Sequence, residues 1–444
     1  MHRGRGARPQ VLGTQQPRGR APDRGDAGRD GGALTEHPPV SVIVVSHGRP
    51  ALLRRALIGI GQLFYRPLEL VVVADSAGLA AISDLPFADR IKTARQDDAN
   101  ISRARNRGAD LAGGDILAFI DDDAVPEPTW LTHLVSPLSE PHCAAATGTV
   151  LGRNGISVQW ADRVVDAEGR AFPAPRGPLP DGLAVKLEGT NMGLRRDVLA
   201  ALGGFDEGFG FYLDETDFAF RLMRTGHRVA FAPLATVHHG FAESARRRAD
   251  RVPLSLRDVG ASSALYLRKH ATADRLGPAL EALRQQQAAR LARLHEAGLL
   301  QGGAAARLLA ELDGGIASGR DRPLHQTHAV ADPPLFQALI EVNPPPPAIL
   351  SGRWFSRVRL NRQAQACAAE GRSTSLFLFG HTVRAHRVTF TDDGVWRQSG
   401  GLFGPSRRDQ PRFTKWSFRA RIREETGRVA GVRWQDLSQQ AVTG

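Results

Sequence analysis

The sequence predicts an α/β protein: a Rossmann-like sheet flanked by helices, followed by a helical segment and a small antiparallel β module. Three observations carry this expectation. Residues 40–45 (VSVIVV) and 68–73 (LELVVV) are strand-like apolar runs on either side of a helix-spaced stretch, Leu52, Leu53, Ala56, Leu57 and Ile60. That is the β-α-β pattern of a parallel sheet with a right-handed crossover. A third apolar run, residues 116–120 (ILAFI), leads straight into Asp121, Asp122 and Asp123. Residues 375–379, 383–390 and 395–398 look like further strands, with Asp393-Gly394 as a hairpin turn signal.

Composition sets the bounds. The chain has 444 residues, 42% of them hydrophobic and 23% charged, enough for a sizeable core in two or three domains. No apolar run approaches the roughly 18 residues that span a bilayer. The N-terminus is basic but lacks an apolar h-region, so no secretory signal is expected. Cys143 and Cys367 match no metal or redox spacing and are expected as free thiols in a reducing cytoplasm. The formal charge is +12, and residues 351–444 carry 17 Lys and Arg against 7 Asp and Glu. Such a basic end suits nucleic acid, an anionic membrane surface or an acidic partner; a solvated surface would look the same.

In chain order, residues 1–37 are rich in Arg, Gly, Pro and Asp and read as a disordered arm. Pro50 suits the first turn of the first helix. Residues 91–94 are a third strand, and Ser102 could cap a helix that Gly113-Gly114 ends. Thr129-Trp130-Leu131 opens another helix, and residues 143–151 form a strand. Residues 152–182, with frequent Gly and Pro, are expected as loop bordering a substrate site. A short helix follows at 196–201, then a longer one in which Phe218 and Leu222 share a face with Asp217 and Arg221 four apart. Residues 228–233 form a strand that leads to His238 and His239. Residues 254–270 are helical, and 274–318 form two helices broken near Gly302-Gly303. The proline run 344–347 marks a boundary, and Phe413, Trp416, Phe418 and Ile422 continue the β character of the last segment. The expected units are 1–37, 38–270, 271–343 and 344–444.

The acidic clusters carry the chemistry. Three adjacent carboxylates at a strand's carboxyl end repel one another and sit where open α/β sheets bind ligands. Water or a hard divalent cation would offset the charge; Mg²⁺ and Mn²⁺ favour such oxygen donors. A solvated acidic loop would explain the triplet alone. Asp214, Glu215 and Asp217 fall at a helix N-terminus, where the helix dipole and free N–H groups favour acids and where a general base could stand beside a reacting hydroxyl. Asp75, just past the second strand, could bond a ribose or base edge or merely cap a turn. Arg105 suits a phosphate, and paired histidines after a strand could ligate metal.

Together these pieces resemble the family 2 glycosyltransferases, over about residues 38–265. The matching runs are VSVIVVSHGRP (40–50), LELVVVADS (68–76), ARNRGADLAGGDILAFIDDDAVPEPTW (104–130), GTNMGLRRDVLAALGGFDEGF (189–209) and DETDFAFRLMRTGHRVAFAP (214–233). The resemblance implies a GT-A fold, whose Rossmann-like sheet is mixed and flanked by helices, and an inverting transfer from a nucleotide-diphospho-sugar to a glycan or lipid-linked acceptor. It implies a DXD motif at Asp121 to Asp123, with Asp121 near the ribose and Asp123 a ligand of Mn²⁺ or Mg²⁺. Ser46, Asp75, Arg105 and Asp122 would join Asp121 on the donor side, and His238 would reach the diphosphate or metal. Asn191 and Asp217 would lie toward the acceptor. Glu215 would be the base, with Asp214 as its rival. The chain departs from the family in reading Ala74-Asp75-Ser76-Ala77 for Asp-Asp-Gly-Ser, Ser46-His47-Gly48 for Thr-Tyr-Asn, and Asp-Glu for the usual Glu-Asp pair. The first two departures fall in the nucleotide pocket.

Two other function classes compete. A non-catalytic scaffold that binds an acidic partner or membrane through its basic end would have no need of both acidic runs. A nucleic-acid binder would fit the sequence pI of about 10.8, but no recognisable binding motif is present, so no specific nucleic acid is expected.

Overall fold

Four strands of nearly continuous apolar sequence build the parallel half of the main sheet: β1 (Val40–Ser46), β2 (Leu68–Ala74), β3 (Ile91–Arg95) and β4 (Ile116–Asp121), in the order β3-β2-β1-β4. A computed structural model describes residues 37–240, 243–340 and 345–434 of the protein. The expected arm lies outside the described residues apart from His37, as does Pro344 of the proline run. Crossovers are made by α1 (Pro50–Gly61), α2 (Ser76–Ala80) and α3 (Ile101–Leu111). Pro50 opens α1 as its sequence position suggests. The cap of α3 is Asn100, whose side chain accepts from Arg103 N; Ser102 sits inside the helix and donates to Phe209 O.

The short β5 (Ala124–Pro126) and α4 (Trp130–Val135) lead into β6 (Cys143–Leu151). Residues 152–182, expected as loop, contain β7 (Val158–Trp160), β8 (Arg163–Val165) and β9 (Ala171–Pro173), each too brief to display a period among the glycines and prolines. With β10 (Ala184–Val185), β8 and β9 form a small sheet of order β10-β8-β9. Then come β11 (Met192–Arg195), α5 (Arg196–Ala201), α6 (Asp214–Arg224) and β12 (Arg228–His239). Strand β11 lies antiparallel between β4 and β6, and β12 runs parallel to β6 and antiparallel to β5. Among the described residues this completes a nine-stranded mixed sheet flanked by helices, in accord with the GT-A expectation.

Alternation along the strands builds two cores. Val42, Val44, Val72 and Ile120 face Leu53, Leu57 and Ile60 of α1 and Leu131 and Leu134 of α4. Ile43, Val71, Leu117 and Phe119 face Phe205, Phe218, Phe220 and Tyr266. Full burial of one such side chain contributes roughly 1.5–3 kcal/mol, so the register of the sheet is strongly specified. Register places Val45 beside Asp121 and Ser46 beside Ala74. The carboxyl ends of β1, β2 and β4 thus share one edge. Cys143 and Cys367 are free thiols. Among the described residues no helix is long and apolar enough to cross a membrane.

The helical segment comprises α7 (Arg257–His270), α8 (Ala273–Glu296) and α9 (Ala304–Asp321), broken between the last two near Gly302 as expected. Helices α7 and α9 cross closely: a Cβ on Gly315 or Gly319 would stand within 2.2 Å of a carbonyl oxygen of α7. The chain then returns along the main sheet, where Gln337 N donates to the buried Glu69 Oε1 (2.7 Å) and Leu339 N to Leu68 O (2.7 Å).

The last segment differs from expectation. It holds β13 (Ala348–Arg353), α10 (Arg357–Ala369), β14 (Thr374–Gly380), β15 (Arg387–Phe390), β16 (Val395–Gly401) and α11 (Phe418–Arg433), with sheet order β13-β14-β16-β15. The hairpin signal at Asp393-Gly394 joins β15 and β16 antiparallel, but β13/β14 and β14/β16 pair in parallel. The reason is α10, which crosses from β13 to β14; its buried face is only Leu360 and Ala364 among Arg and Gln, a stripe too thin to read. Residues 418–422 are helix, not strand: the Ser417 hydroxyl accepts from Ala420 N, and Phe418, Ile422 and Val429 pack together on one side.

This segment is pinned to the main sheet through one buried carboxylate. Glu127, just after β5, receives Arg433 Nε (2.8 Å) and Nη2 (2.5 Å) and lies 2.8 Å from His238 Nε2. Burial alone would raise this carboxyl; Arg433 and His238 instead hold it down to about 2. Its folded value is depressed, so its stabilisation is complete above the ordinary value of 4.5 and is lost as pH falls toward 2. Replacing Arg433 by Leu leaves a buried charge without its main partner and should cost about 3–5 kcal/mol in urea unfolding at neutral pH. The same variant should lose the acid-dependent part of stability that Glu127 contributes in the wild type.

Candidate active site

The carboxyl edge of the parallel strands gathers the acidic residues. Asp121 ends β4, and the chain turns at Asp122 and Asp123 into β5. The antiparallel pairing of β12 with β5 sets His239 opposite Ala124 and so brings its ring to Asp123, Nε2 to Oδ1 3.1 Å. Ligand atoms of Asp121, Asp123 and His239 all lie within 4.8 Å of one another. Two carboxylates and an imidazole so converged fit a divalent cation by donor type and spacing. Arg49 Nη1 and Arg247 Nη2 stand 3.6 and 4.0 Å from Asp123 Oδ2.

The middle carboxylate turns inward. Asp122 is fully buried, accepts from Ser46 Oγ (2.6 Å) and pairs with Arg49 Nη2 (2.6 Å). Burial is the main force on it, partly offset by Arg49 and reinforced by the charge of Asp123, and pushes it up to about 7. Ser46 and Asp122 thus tie β1 to the acidic turn. Asp75 caps α2 by accepting from Gly78 N (2.7 Å) and reaches across to Gly48 N (2.5 Å), so the capping role weighed from sequence is the one it fills. Its half-exposed position keeps it on the rim of the same edge.

Arg105 links the two acidic clusters. It is buried in α3, donates to Asp214 Oδ2, and sets Nη2 3.6 Å from Asp121 Oδ1. The guanidinium passes over Gly189, where a Cβ would meet Nη2 at 2.3 Å; only glycine leaves that passage open. Asp214 and Glu215 open α6 as predicted. Asp214 is sealed, whereas Glu215 remains partly open and lies 3.1 Å from Lys186 Nζ. Burial, then the neighbouring Glu215 charge, pushes Asp214 up despite Arg105. Burial would also raise Glu215, but Lys186 and Arg105 more than offset it and hold it below the usual carboxylate range. The pair is therefore split, with the exposed member ionised. The two residues before it, Tyr212 (φ 74°) and Leu213 (φ 67°), both occupy the left-handed region, a strained turn of a kind that clusters at functional sites.

Three predicted site residues are placed elsewhere. His238 lies on the opposite side of β12 from His239: its Nε2 meets Glu127 and its ring packs on Trp396, 4.8 Å between centroids. Successive strand residues face opposite ways, and His239 takes the position expected of His238. Asn191 is fully buried; its Oδ1 accepts from Trp130 Nε1 (2.8 Å) and its Nδ2 donates to Thr149 O and Ala235 O. Asp217 faces the core, where Arg221, Lys269 and His270 surround it and depress it well below its ordinary range against the effect of burial. Both residues hold elements together and neither offers an atom to an acceptor. Sequence reasoning missed Arg49, Lys186, Arg247 and Tyr212. Arg49 and Lys186 left a trace as cations within or beside the runs 40–50 and 189–209, Arg247 lies in the basic run RRRADR (246–251), and Tyr212 opens the acidic stretch 212–229.

Residues 41–203 match the family described as Glycosyl transferase family 2. The O-antigen biosynthesis protein RfbC of Myxococcus xanthus is 32% identical over 235 residues, 49% of this chain and 18% of its own. The glucosyl-dolichyl phosphate glucuronosyltransferase of Haloferax volcanii is 30% identical over 197 residues, 40% of this chain and 61% of its own. The succinoglycan biosynthesis protein ExoM of Rhizobium meliloti is 32% identical over 151 residues, 33% of this chain and 46% of its own. The chain thus spans less than two thirds of each of these relatives. Among solved structures, GalNAc-T7 with UDP, GalNAc and Mn²⁺ aligns at 18% identity over 53% of this chain and 47% of that one, with TM-score 0.42. The mannosyltransferase PcManGT from Pyrobaculum calidifontis, solved with GDP-Man and Mn²⁺, aligns at 18% identity over 64% and 88%, with TM-score 0.40. The likeness to glycosyl transferase family 2 thus rests on residues 41–203 of this chain.

Proposed function

We propose that the protein is an inverting glycosyltransferase that moves a sugar from a nucleotide-diphospho-sugar to an acceptor hydroxyl. The observation that carries this reading is the buried Arg105 set between Asp121 on one side and Asp214 on the other. The arrangement provides a place for an anionic leaving group and, across one guanidinium, a carboxylate pair. Glu215 takes the acceptor proton as the acceptor oxygen bonds to C1 from the face opposite the diphosphate. The C1–O bond to the diphosphate breaks, its electron pair leaves with the nucleoside diphosphate, and the anomeric centre inverts. Asp121, Asp123 and His239 would hold Mn²⁺ or Mg²⁺, which supplies neutralising charge to the diphosphate. Arg105 and Arg49 stand where they would add positive charge on the same side. Asp75 and Ser46 remain donor-side residues in this reading, and the exposed Tyr212 borders the acceptor side.

The names of the relatives support a role in surface or extracellular polysaccharide synthesis, with a glycan or lipid-linked glycan as acceptor. In that role the catalytic segment is residues 38–270, joined through the helical residues 271–343 to the basic segment 344–444. The protein would work in the cytoplasm, its basic end toward the inner face of an anionic membrane.

A thermal-shift screen of UDP-, GDP-, dTDP- and CMP-sugars with and without Mn²⁺ tests donor binding, because a ligand that binds only the folded state raises the melting temperature. One donor should give a metal-dependent shift that Asp123→Ala abolishes; no shift with any donor would favour a non-catalytic scaffold. With the donor identified, Glu215→Gln should lower kcat by about 10²–10⁴-fold while leaving donor KM nearly unchanged. Removing the Lys186 charge by Lys186→Gln withdraws the main cation that keeps Glu215 ionised. The acid limb of the kcat/KM profile should then move to higher pH. An unmoved limb would show that Glu215 is not the titrating base.

A further inference from the structure

The C-terminal sheet ends in an exposed apolar surface. At the carboxyl end of β13 the chain turns through Trp354 and Phe355 into α10. Trp354 is 49% exposed, Phe355 78% and Val358 55%. Folding buries the other face of α10, Leu360 and Ala364, against Leu376, Leu378 and Val395, so the apolar tip is turned away from the core. Four exposed arginines ring it: Arg353, Arg357, Arg359 and Arg362. Among the described residues none of the four makes an ion pair. Arg353 and Arg357 instead lie over the rings of Phe418 and Trp354, at 5.1 and 5.4 Å. Residues 345–369 contain no Asp or Glu. Beside the tip opens a cleft of about 340 Å³ lined in part by Trp354, Arg357, Asn361, Arg397 and Ser399.

We infer that this patch docks the protein on an anionic phospholipid bilayer, with Trp354, Phe355 and Val358 entering the interface and the arginines meeting headgroup phosphates. Aromatic rings favour the boundary between headgroup and acyl chain, and arginine stems lie along apolar surface while their heads stay with the phosphates. The pattern is a ring of unpaired cations about an apolar tip. A nucleic-acid surface would instead line its cations along a groove and present flat rings for stacking; Val358 offers no such ring. The patch deepens the membrane-facing part of the proposed function and does not depend on the transfer chemistry.

The test is co-sedimentation of the full chain with extruded vesicles, one set of phosphatidylglycerol and phosphatidylcholine and one of phosphatidylcholine alone. The wild type should pellet with the anionic set and stay in solution with the neutral one. At about 1 kcal/mol per arginine near a charged surface, Arg359→Glu with Arg362→Glu should weaken partition by at least about 30-fold. Phe355→Glu should abolish it. The pair Arg224→Glu and Arg293→Glu makes the same change in net charge on exposed positions of α6 and α8 and should bind as wild type. Equal melting temperatures establish that all variants are folded. Failure of the wild type to pellet, equal loss in the control pair, or displacement of bound protein by a single-stranded RNA oligomer would each overturn the inference. The donor-induced thermal shift is measured on the same proteins. It should be unchanged by the patch variants, so loss of docking and loss of donor binding read out separately.

Discussion

Three carboxylates on consecutive residues at the end of a buried strand are the constraint around which the rest of this structure is arranged. Two unit charges about 4 Å apart near a protein surface repel by about 4 kcal/mol, and the turn after β4 holds three. The fold answers with cations from separate places in the chain. Arg49 comes from the turn after β1, Arg105 from α3, His239 from the end of β12, and Arg247 from the loop beyond it. Each arrives only because the sheet order and register bring its element to that edge. The middle carboxylate is buried and hydrogen-bonded to Ser46, which leaves the half-buried Asp121 and the buried Asp123 converging with His239. An alternating strand could not place all three on one face, so one acid becomes a structural pin while the other two converge with His239.

The same turn explains why the C-terminal segment is more than an appendage. Glu127 lies four residues beyond Asp123, and its partner Arg433 is at the end of α11. The hydrogen bonds from Thr129 and His133 to Val432 and Gly431 extend this contact along α4. His238 joins Glu127 from the back of β12, while His239 reaches Asp123 from the front. A movement of α11 would therefore be felt through one buried carboxylate at His238. The acidic turn is held by residues about three hundred positions away in sequence.

Much of this was legible in the sequence because it rests on local pattern. The strands at 40–46, 68–74 and 116–121, the helix opening at Asp214, the break near Gly302 and the hairpin at Asp393-Gly394 all follow from apolar period and turn chemistry. What could not be read depends on which way a side chain faces. His238 and His239 differ by one residue, and on a strand one residue reverses the face to which a side chain points; only the pairing of β12 with β5 decides between them. Asn191 and Asp217 sit in the motifs that carry the family resemblance. Yet their polar atoms are consumed by Trp130, Thr149 and Ala235 in one case and by Arg221, Lys269 and His270 in the other. A polar residue buried to fasten elements together looks, in sequence, the same as one presented to a substrate. The parallel pairing of β13 and β14 escaped notice because α10 is mostly Arg and Gln, and its narrow apolar stripe gives almost no periodic signal.

Arg105 shows how such fastening and chemistry become one device. A guanidinium with almost no exposure is costly to bury unless its donors are satisfied, and here they are met by Asp214 on one side while Asp121 stands 3.6 Å away on the other. Withdrawing either acid would leave a buried cation short of a partner. The spacing between the two acidic clusters is thereby set by the length of one planar group, over a glycine that leaves no room for slack. The left-handed turn at Tyr212 and Leu213 then aims Glu215, not Asp214, toward the opening, and Lys186 keeps it charged. In the proposed transfer such a site would need little rearrangement to bring a proton acceptor and an anion-binding edge to opposite ends of one bond, the preorganisation that group transfer demands.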